Sequence, residues 1–441
     1  MIRVSRNNRN LTPVYIAGMR IRSILALLLW TVAASMCVFS SDVALVHAKI
    51  YPSPTDAPIE DGTILVHNGR ITAVGPSATI KPPRFARAVT VLNCQGLIVT
   101  AGFWNSHVHF LTPGLLHADK RSSDEISSQL DQMFTRWGFT TVFDIASVLD
   151  NTNNIRRRIE EGEIRGPRVL TVGEPFFPKD GTPIYVKGFL AENHIPSAEV
   201  QSTPQALERV RQQIRDGADG IKIFAGAITA NGVLPMPIDQ AKAIVAEAHR
   251  AGKPVFAHPS NEEGIEVAIQ SGVDILAHTT DSGGPWSAVL VERLKSANIA
   301  LIPTLTLWHV ESKGDSAEQF EKGMNAVVLP QLRDYSHAGG QILFGTDAGY
   351  IDQYDTTEEF TLMARAGMSF QQILASLTTN PAQRFGYASH SGQIAKGMDA
   401  DLVVLDRDPA KDVTAFAKVH QVIRAGKLIY PASLAHELRG F

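Results

Sequence analysis

The chain has 441 residues, of which 44% are hydrophobic and 19% are charged, and its formal net charge is -3. This composition argues against a disordered or multispanning protein and predicts a globular one with a large core. Because the net charge is nearly neutral and no block of basic residues is present, nucleic acid is not an expected partner.

The first element along the chain is an apolar run without charge. Arg20 and Arg22 precede it, and the run extends over residues 24–39. This pattern is typical of a secretory signal, so we predict that residues 1–41 form a signal peptide cleaved after Ser40, with an uncleaved N-terminal anchor as the alternative. We expect an exported protein, periplasmic or secreted, without stable membrane association after cleavage.

Strand and turn signals fill residues 42–100. Apolar runs at 63–66 and 70–74 flank Asn68-Gly69, a pairing favoured by tight hairpin turns. Residues 388–441 are similar, with two late strand-like runs that meet at Ala425-Gly426. We predict that the two ends pair into one small β-sandwich domain.

Residues 101–387 alternate short apolar strands with amphipathic stretches of helical length, the pattern of parallel βα units. Eight strands are predicted, beginning near Val99, Thr140, Arg168, Gly220, Pro254, Val273, Ala300 and Gln341. The region is close to the about 250 residues typical of a (β/α)₈ barrel. The predicted fold class is therefore α/β, a TIM-type barrel, with irregular loops at 110–124, 174–202 and 306–320 on its active-site face.

Four of the 14 histidines lie at the ends of predicted strands: His107, His109, His258 and His278. Because side chains alternate along a strand, His107 and His109 are expected to point to the same side. Neutral imidazoles are good zinc ligands, and a catalytic site leaves one position for water. Asp347, at the end of the eighth strand, can bind the metal and accept a proton from that water.

Lys222 occupies a fourth-strand position that is flanked by apolar residues. Burial depresses the pKa of a lysine, and its neutral amine can react with carbon dioxide to give a carbamate. The two carbamate oxygens can bridge a pair of cations about 3.5–4 Å apart. The alternative is an unmodified lysine that reaches solvent or pairs with a carboxylate.

These motifs carry a family resemblance over nearly the whole chain. The chain resembles the amidohydrolase superfamily, and more narrowly its imidazolonepropionase-like and prolidase-like branch. The matching motifs are residues 102–109, Ile221-Lys-Ile, Ala257-His258, Leu276-Ala-His278, Gly345-Thr-Asp347, Thr379-Asn-Pro-Ala and the tail 392–406. Phe103-Trp-Asn-Ser and Asn231-Gly-Val-Leu-Pro depart from the family pattern, which bears on the substrate more than on the metal.

The resemblance implies a binuclear centre. In it, His107 and His109 bind the more buried metal with Asp347, His258 and His278 bind the second, and carboxylated Lys222 bridges the two. Asp347 and His278 are the expected catalytic residues. The expected cofactors are one or two divalent ions, most simply Zn²⁺.

The predicted function is hydrolysis of an amide C–N bond in a small molecule, a dipeptide or an N-acyl amino acid. Metal-activated hydroxide attacks the carbonyl, and Asp347 acts as general base and then general acid. One alternative is a mononuclear cyclic amidohydrolase of the imidazolonepropionase type, in which Lys222 is unmodified and His278 contacts substrate. A lactonase or esterase and a non-catalytic barrel protein are the others. A homo-oligomer is compatible with the sequence.

Overall fold

The computed structural model describes residues 42–82 and 89–431, so the predicted signal or anchor, residues 1–41, lies outside the described residues. Within those ranges no helix is both long enough and apolar enough to cross a membrane. Cys94 is buried and free.

The described strands are β1 Asp42–Ile50, β2 Ile59–His67, β3 Arg70–Pro76, β4 Val89–Asn93, β5 Ile98–Ala101, β6 Phe103–Val108, β7 Phe139–Asp144, β8 Arg168–Thr171, β9 Ile221–Phe224, β10 Gly226–Thr229, β11 Gly232–Pro235, β12 Val255–His258, β13 Ile275–Ala277, β14 Ala300–Ile302, β15 Leu402–Leu405, β16 Val419–Arg424 and β17 Lys427–Tyr430. The helices are α1 Ser123–Met133, α2 Leu149–Glu160, α3 Ile184–Glu192, α4 Thr203–Arg215, α5 Ile238–Arg250, α6 Glu262–Ser271, α7 Ala288–Ser296, α8 Leu305–Glu311, α9 Ala317–Gly323, α10 Leu329–His337, α11 Thr357–Arg365, α12 Phe370–Leu377 and α13 Thr379–Arg384.

Strands from both ends of the chain form one sheet, in the order β17-β16-β15-β5-β1-β2-β3, with β4 paired to β1. The predicted hairpins are confirmed, because β2 pairs antiparallel with β3 and β16 with β17. Asn68 and Gly69 both have positive φ, as a tight primed turn requires. The two turns also touch, since a Cβ on Gly69 would lie 2.8 Å from the carbonyl oxygen of Ala425.

The middle of the chain forms two parallel sheets, ordered β6-β7-β8 and β9-β12-β13-β14. Individual backbone hydrogen bonds outside the paired strands join the two sheets on both sides. On one side Asp219 N–H donates to Thr171 (2.6 Å) and Phe176 N–H donates to Lys222 (2.8 Å). On the other, residues 341–347 bond to both β14 and β6: Leu343 N–H donates to Leu301 (2.9 Å), and Ser106 N–H donates to Phe344 (2.7 Å). The strands thus succeed one another in a ring.

Successive side chains of a barrel strand point to opposite faces, so the strands contribute to two separate apolar clusters. In β12, Val255 and Ala257 pack into the large cluster shared with the helices, whereas Phe256 packs with Trp104, Phe143 and other residues inside the ring. Lys222 lies opposite Phe256 and Phe224 opposite His258 in the β9–β12 register. Lys222 and His258 therefore face the interior of the ring, above its apolar packing.

Three sequence predictions are corrected. The first barrel strand does not begin near Val99: residues 98–101 pair with β1 and β15 in the terminal sheet, and the barrel strand starts at Phe103. The eighth strand, predicted near Gln341, is an extended segment with isolated bridges only. The supposed irregular loops 174–202 and 306–320 contain α3, α8 and α9.

Candidate active site

All six side chains singled out in the sequence line one cavity that opens to solvent. We call them the cavity floor: His107, His109, Lys222, His258, His278 and Asp347. His258 is partly exposed, whereas the other five are buried. Residues that are up to 240 positions apart in sequence are thus brought together (107 to 347) by the ends of the parallel strands, as the barrel topology predicts.

Three ligand-type atoms of the floor lie in direct contact. Asp347 Oδ1 lies 3.0 Å from His107 Nε2 and 2.7 Å from His109 Nε2. The two imidazole nitrogens are 3.2 Å apart. A ligand atom of His278 also lies within 4.8 Å of those of His107 and Asp347, so these residues can enclose one ion.

The hydrogen bonding of this group fits a cation. His109 Nδ1 lies 2.8 Å from the carbonyl oxygen of Ala146. Because a carbonyl only accepts, Nδ1 carries the proton, and the Nε2 lone pair of a neutral His109 faces Asp347. Asp347 Oδ1 is buried without a well-directed hydrogen bond from any described residue. Converging lone pairs repel one another, and a divalent cation between them removes that repulsion.

His278 is oriented by a threonine. Its Nδ1 lies 2.6 Å from Thr304 Oγ1, and that hydroxyl donates to the carbonyl oxygen of Pro303 (2.9 Å). Thr304 Oγ1 therefore accepts from His278 Nδ1–H, which leaves Nε2 as the free ligand atom. The His278 ring lies 4.6 Å from that of His107 and 4.8 Å from that of His258, between the two halves of the floor.

The backbone directly after Thr304 is held by the buried carboxylate of Glu359. Glu359, on α11, accepts from Leu305 N–H (2.9 Å) and from both the N–H (2.8 Å) and the hydroxyl (2.9 Å) of Thr306. Burial raises the pKa of Glu359 to about 7, although these hydrogen bonds act in the opposite direction. Glu359 supports His278 indirectly, through the backbone of Thr304.

Two floor residues, and the threonine that orients His278, have strained backbone conformations. The φ angles of His278, Thr304 and Asp347 are 74°, 45° and 61°, in the left-handed region. Each such residue costs on the order of 1–3 kcal/mol and persists only where its surroundings impose it. Two residues after Asp347 the chain passes close to the segment that follows β6: a Cβ on Gly349 would lie 1.9 Å from the carbonyl oxygen of His109.

Burial sets the ionisation of the floor. It lowers the pKa of Lys222 to about 7, against the opposing charge of Asp347, so a substantial fraction of the amine is neutral near pH 7. Burial also lowers the pKa of His107 to about 3 and the pKa values of His258 and His278 well below their usual range. Burial acts to raise the pKa of Asp347, but positive charge and N–H donors on His107 and His109 lower it well below its ordinary value, a role that a bound cation takes when both imidazoles are neutral.

A second buried carboxylate supports the other side of the floor. Asp144 accepts from the hydroxyls of Thr152 (2.9 Å), Thr171 (3.0 Å) and Ser147. Burial raises its pKa. This network fixes the turn after β7 that carries the Ala146 carbonyl, the acceptor for His109.

The sides of the cavity are apolar. Six aromatic residues form what we call the aromatic wall: Phe177, Tyr185, Phe189, Phe224, Trp308 and Tyr350. Phe177 packs edge-on to Phe224 at 4.8 Å, and Tyr185 to Tyr350 at 5.6 Å. Tyr185 and Trp308 lie in segments predicted as loops at the mouth, whereas nothing in the sequence singled out Phe177, Phe189 or Tyr350. Thr304 and Glu359 were also missed, because their partners His278 and Leu305 are 26 and 54 positions away.

The chain is similar in sequence to known proteins. The sequence pattern of the amidohydrolase family matches residues 98–429. An ochratoxinase from Aspergillus niger is 24% identical over 427 residues, covering 88% of this chain and 86% of its own length. An imidazolonepropionase from Thermoplasma acidophilum is 20% identical over 398 residues, covering 84% and 90%.

Solved structures are similar as well. A Xaa-Pro dipeptidase with bound methionine in its active site superposes with a TM-score of 0.74 at 23% identity, covering 88% of this chain and 99% of its own. The A. niger ochratoxinase structure gives 0.72 at 22% identity, covering 88% and 95%. These matches identify the ring of parallel strands as an α/β TIM barrel.

Proposed function

This chain belongs to the amidohydrolase family, and from that premise we propose that it is a metal-dependent hydrolase that cleaves the amide bond of a dipeptide or an N-acyl amino acid. One observation carries the proposal. The ligand atoms of His107, His109 and Asp347 lie 2.7–3.2 Å apart at the floor of the cavity. The expected superfamily resemblance is confirmed by the family match. The relatives named above, an ochratoxinase and a dipeptidase, support an amide substrate.

In the proposed centre, His107, His109 and Asp347 hold one divalent cation, and His258 and His278 hold a second. The position of the His278 ring, between those of His107 and His258, supports its place at the junction of the two sites. Zn²⁺ is the proposed ion because imidazole and carboxylate donors suit it. When bound, such cations lower the pKa of a water molecule and polarise a substrate carbonyl.

Asp347 is the proposed general base and acid. Its Oδ1 faces the nitrogens of His107 and His109, so Oδ2 is the oxygen available to take a proton from water. Because the pKa of Asp347 is held low, the carboxylate is ionised at neutral pH and ready to accept. Asp347 then delivers that proton to the leaving nitrogen as the C–N bond breaks.

Lys222 is proposed to carry a carboxyl group that bridges the two cations. Its neutral amine forms an N–C bond with carbon dioxide and releases one proton, which gives a carbamate with two ligand oxygens. The floor supports this step, because burial lowers the pKa of Lys222 to about 7. The carbamate also removes an amine that would otherwise be buried beside cations.

Two further proposals concern the rest of the chain. We propose that the sheet shared by the chain ends folds into a sandwich, because Leu45, Ile64, Val99, Leu402 and Ile423 of different strands share one apolar cluster. We also propose export, which rests on the pattern of residues 20–40 alone.

The proposed function is tested by Asp347→Asn in protein loaded with Zn²⁺. An asparagine keeps an oxygen ligand but cannot accept the proton, so turnover of an N-acyl amino acid panel should fall by about 10²- to 10⁴-fold. Metal content, measured by mass spectrometry, should largely persist. The matched control is Asp352→Asn, an exposed carboxylate five residues on, which should leave turnover unchanged. An active Asp347→Asn enzyme, or full activity in strong chelator, refutes the proposal.

A further inference from the structure

The cavity above the floor is built for apolar contact. The aromatic wall surrounds the space that a substrate must occupy when its carbonyl reaches the floor. Phe224 stacks on His258 with ring centroids 4.6 Å apart, and the Trp308 ring lies 6.4 Å from that of His278. A group bound beside the scissile carbonyl is therefore in contact with aromatic faces.

Exposed apolar residues concentrate at the mouth of this cavity. Among the described residues, six large hydrophobic side chains are exposed, and Tyr185, Ile228 and Tyr350 of that set line the cavity at 37%, 37% and 38% exposure. Clustered apolar exposure marks a site that a ligand covers. Helix α3, which supplies Tyr185 and Phe189, has no buried residue of its own. Of its apolar side chains, Val186 is partly buried against the cluster of Phe177, Phe224 and Ala227.

Apart from the metal centre proposed in the floor, the cavity offers no fixed cation to a substrate carboxylate. Lys222 is the only lysine or arginine among the described residues that line it, and it lies in the floor. Arg209 is nearby, but its guanidinium donates to the carbonyl oxygens of Ala198 (2.6 Å) and Pro175 (2.5 Å) and stacks on Phe176. Lys187, on α3, is exposed and does not line the cavity.

Acidic residues border the same space. Glu174, Asp281 and Glu311 line the cavity. Glu311 accepts from the hydroxyl of Tyr350 at 2.8 Å, and Glu174 accepts from Leu149 N–H at 3.2 Å. These carboxylates offer no favourable contact to the free carboxylate that a dipeptide or an N-acyl amino acid carries.

We propose that the substrate is an amide with a bulky aromatic acyl group, recognised by the aromatic wall, and that a free carboxylate on the substrate contributes little to binding. This inference rests on the proposed amide hydrolysis and narrows it. Within the proposed substrate classes, it favours N-acyl amino acids with large acyl groups over small charged dipeptides. It also extends the class to neutral aromatic amides.

Three amides test the inference in the metal-loaded enzyme: N-(2-naphthoyl)-phenylalanine, N-(2-naphthoyl)-2-phenylethylamine, which lacks only the carboxylate, and N-acetyl-phenylalanine. The two naphthoyl compounds should have kcat/KM values within about threefold of each other. The acetyl compound should be about 10- to 100-fold poorer, since it leaves the aromatic wall uncovered. A tenfold or greater loss on removal of the carboxylate, or equal rates for acetyl and naphthoyl, overturns the inference.

A binding measurement separates the inference from the proposed function. The affinity of N-(2-naphthoyl)-2-phenylethylamine is measured by calorimetry, which needs no turnover. Phe189→Ala should weaken binding by about tenfold, because it removes one aromatic contact. Ile184→Ala is the matched control: Ile184 lies on the same helix, is 47% exposed and does not line the cavity, so its loss should not change the affinity.

The outcomes are distinct. Wall-dependent binding without hydrolysis of any of the three amides supports the inference and contradicts the proposed function. Metal-dependent hydrolysis of the acetyl compound with no binding of the naphthoyl amide supports the proposed function and contradicts the inference. Equal loss of affinity in Phe189→Ala and Ile184→Ala also overturns the inference, because it places the ligand elsewhere.

Discussion

The floor and the wall of the cavity differ in how the fold holds them. The floor is polar and mostly buried, and its residues lie in or directly after the barrel strands, where hydrogen bonds, left-handed turns and buried carboxylates support them. The wall is aromatic, and two of its six residues, Tyr185 and Phe189, come from α3, which has no buried residue. The floor is therefore held by more contacts than the part of the wall on α3, although Phe177 and Phe224 of the wall are themselves buried. In the proposed function, the floor supplies the chemistry and the wall the selectivity.

The largest expected effect on activity comes from removing the Lys222 side chain from the floor. In Lys222→Ala the proposed bridging carboxylate is lost, so kcat should fall by about 100-fold or more and bound metal should decrease. Turnover and metal content per chain are the measurements. Added acetate can occupy the space left by the side chain and supply a carboxylate, so it should restore part of the activity. Unchanged activity in the alanine variant contradicts the bridging role.

A smaller effect is expected when only the support of the floor is altered. Thr304→Val removes the acceptor for His278 Nδ1–H and should lower kcat by about 10- to 100-fold while the fold persists. Thr304→Ser keeps the hydroxyl and should retain most activity. If valine and serine behave alike, the hydrogen bond does not position His278.

These two variants show what the sequence could and could not reveal. His107, His109 and Asp347 were predictable because each lies at or just after the carboxyl end of an apolar segment, and those ends share one face of a barrel. Thr304 was not, because it meets His278 across 26 positions and neither residue signals the other. Local signals such as Asn68-Gly69 gave the hairpins correctly.

The sequence predictions failed where tertiary contacts, rather than the local sequence, determine the secondary structure. The first barrel strand was predicted to begin near Val99, but residues 98–101 pair in the terminal sheet and the chain enters the barrel only at Phe103. The segment after Gln341 reads as a strand, but it makes only isolated bridges before the left-handed turn at Asp347. Helix α3 was missed because it lacks a buried face and hence a helical period of apolar residues.

The carboxylate beneath the floor should be visible in the pH dependence of stability. Burial raises the pKa of Glu359 to about 7, from an ordinary value of 4.5. The folded state then binds the proton more tightly than the unfolded state, so stability falls as pH rises from about 4.5 to 7. Relative to Glu359→Gln, the metal-free wild type should lose about 1–3 °C of Tm between pH 5 and pH 8. Parallel Tm curves for the two proteins contradict this account.

The smallest effect is expected at the rim of the wall. Tyr350→Phe keeps the ring that contacts Tyr185 and removes only the hydroxyl that donates to Glu311. Because that hydrogen bond is exposed, kcat/KM for an aromatic amide should change by less than about threefold. Tyr350→Ala removes the ring itself and should cost more in KM than in kcat. Equal effects of the two variants would show that the ring does not contribute apolar contact.

The central claim is that the six floor residues form one metal centre. The most direct measurement is anomalous diffraction at the zinc edge from crystals of the Zn²⁺-loaded protein. The account predicts one peak between His107, His109 and Asp347, and a second beside His258 and His278. Peaks elsewhere on the molecule, with none among these side chains, would contradict it.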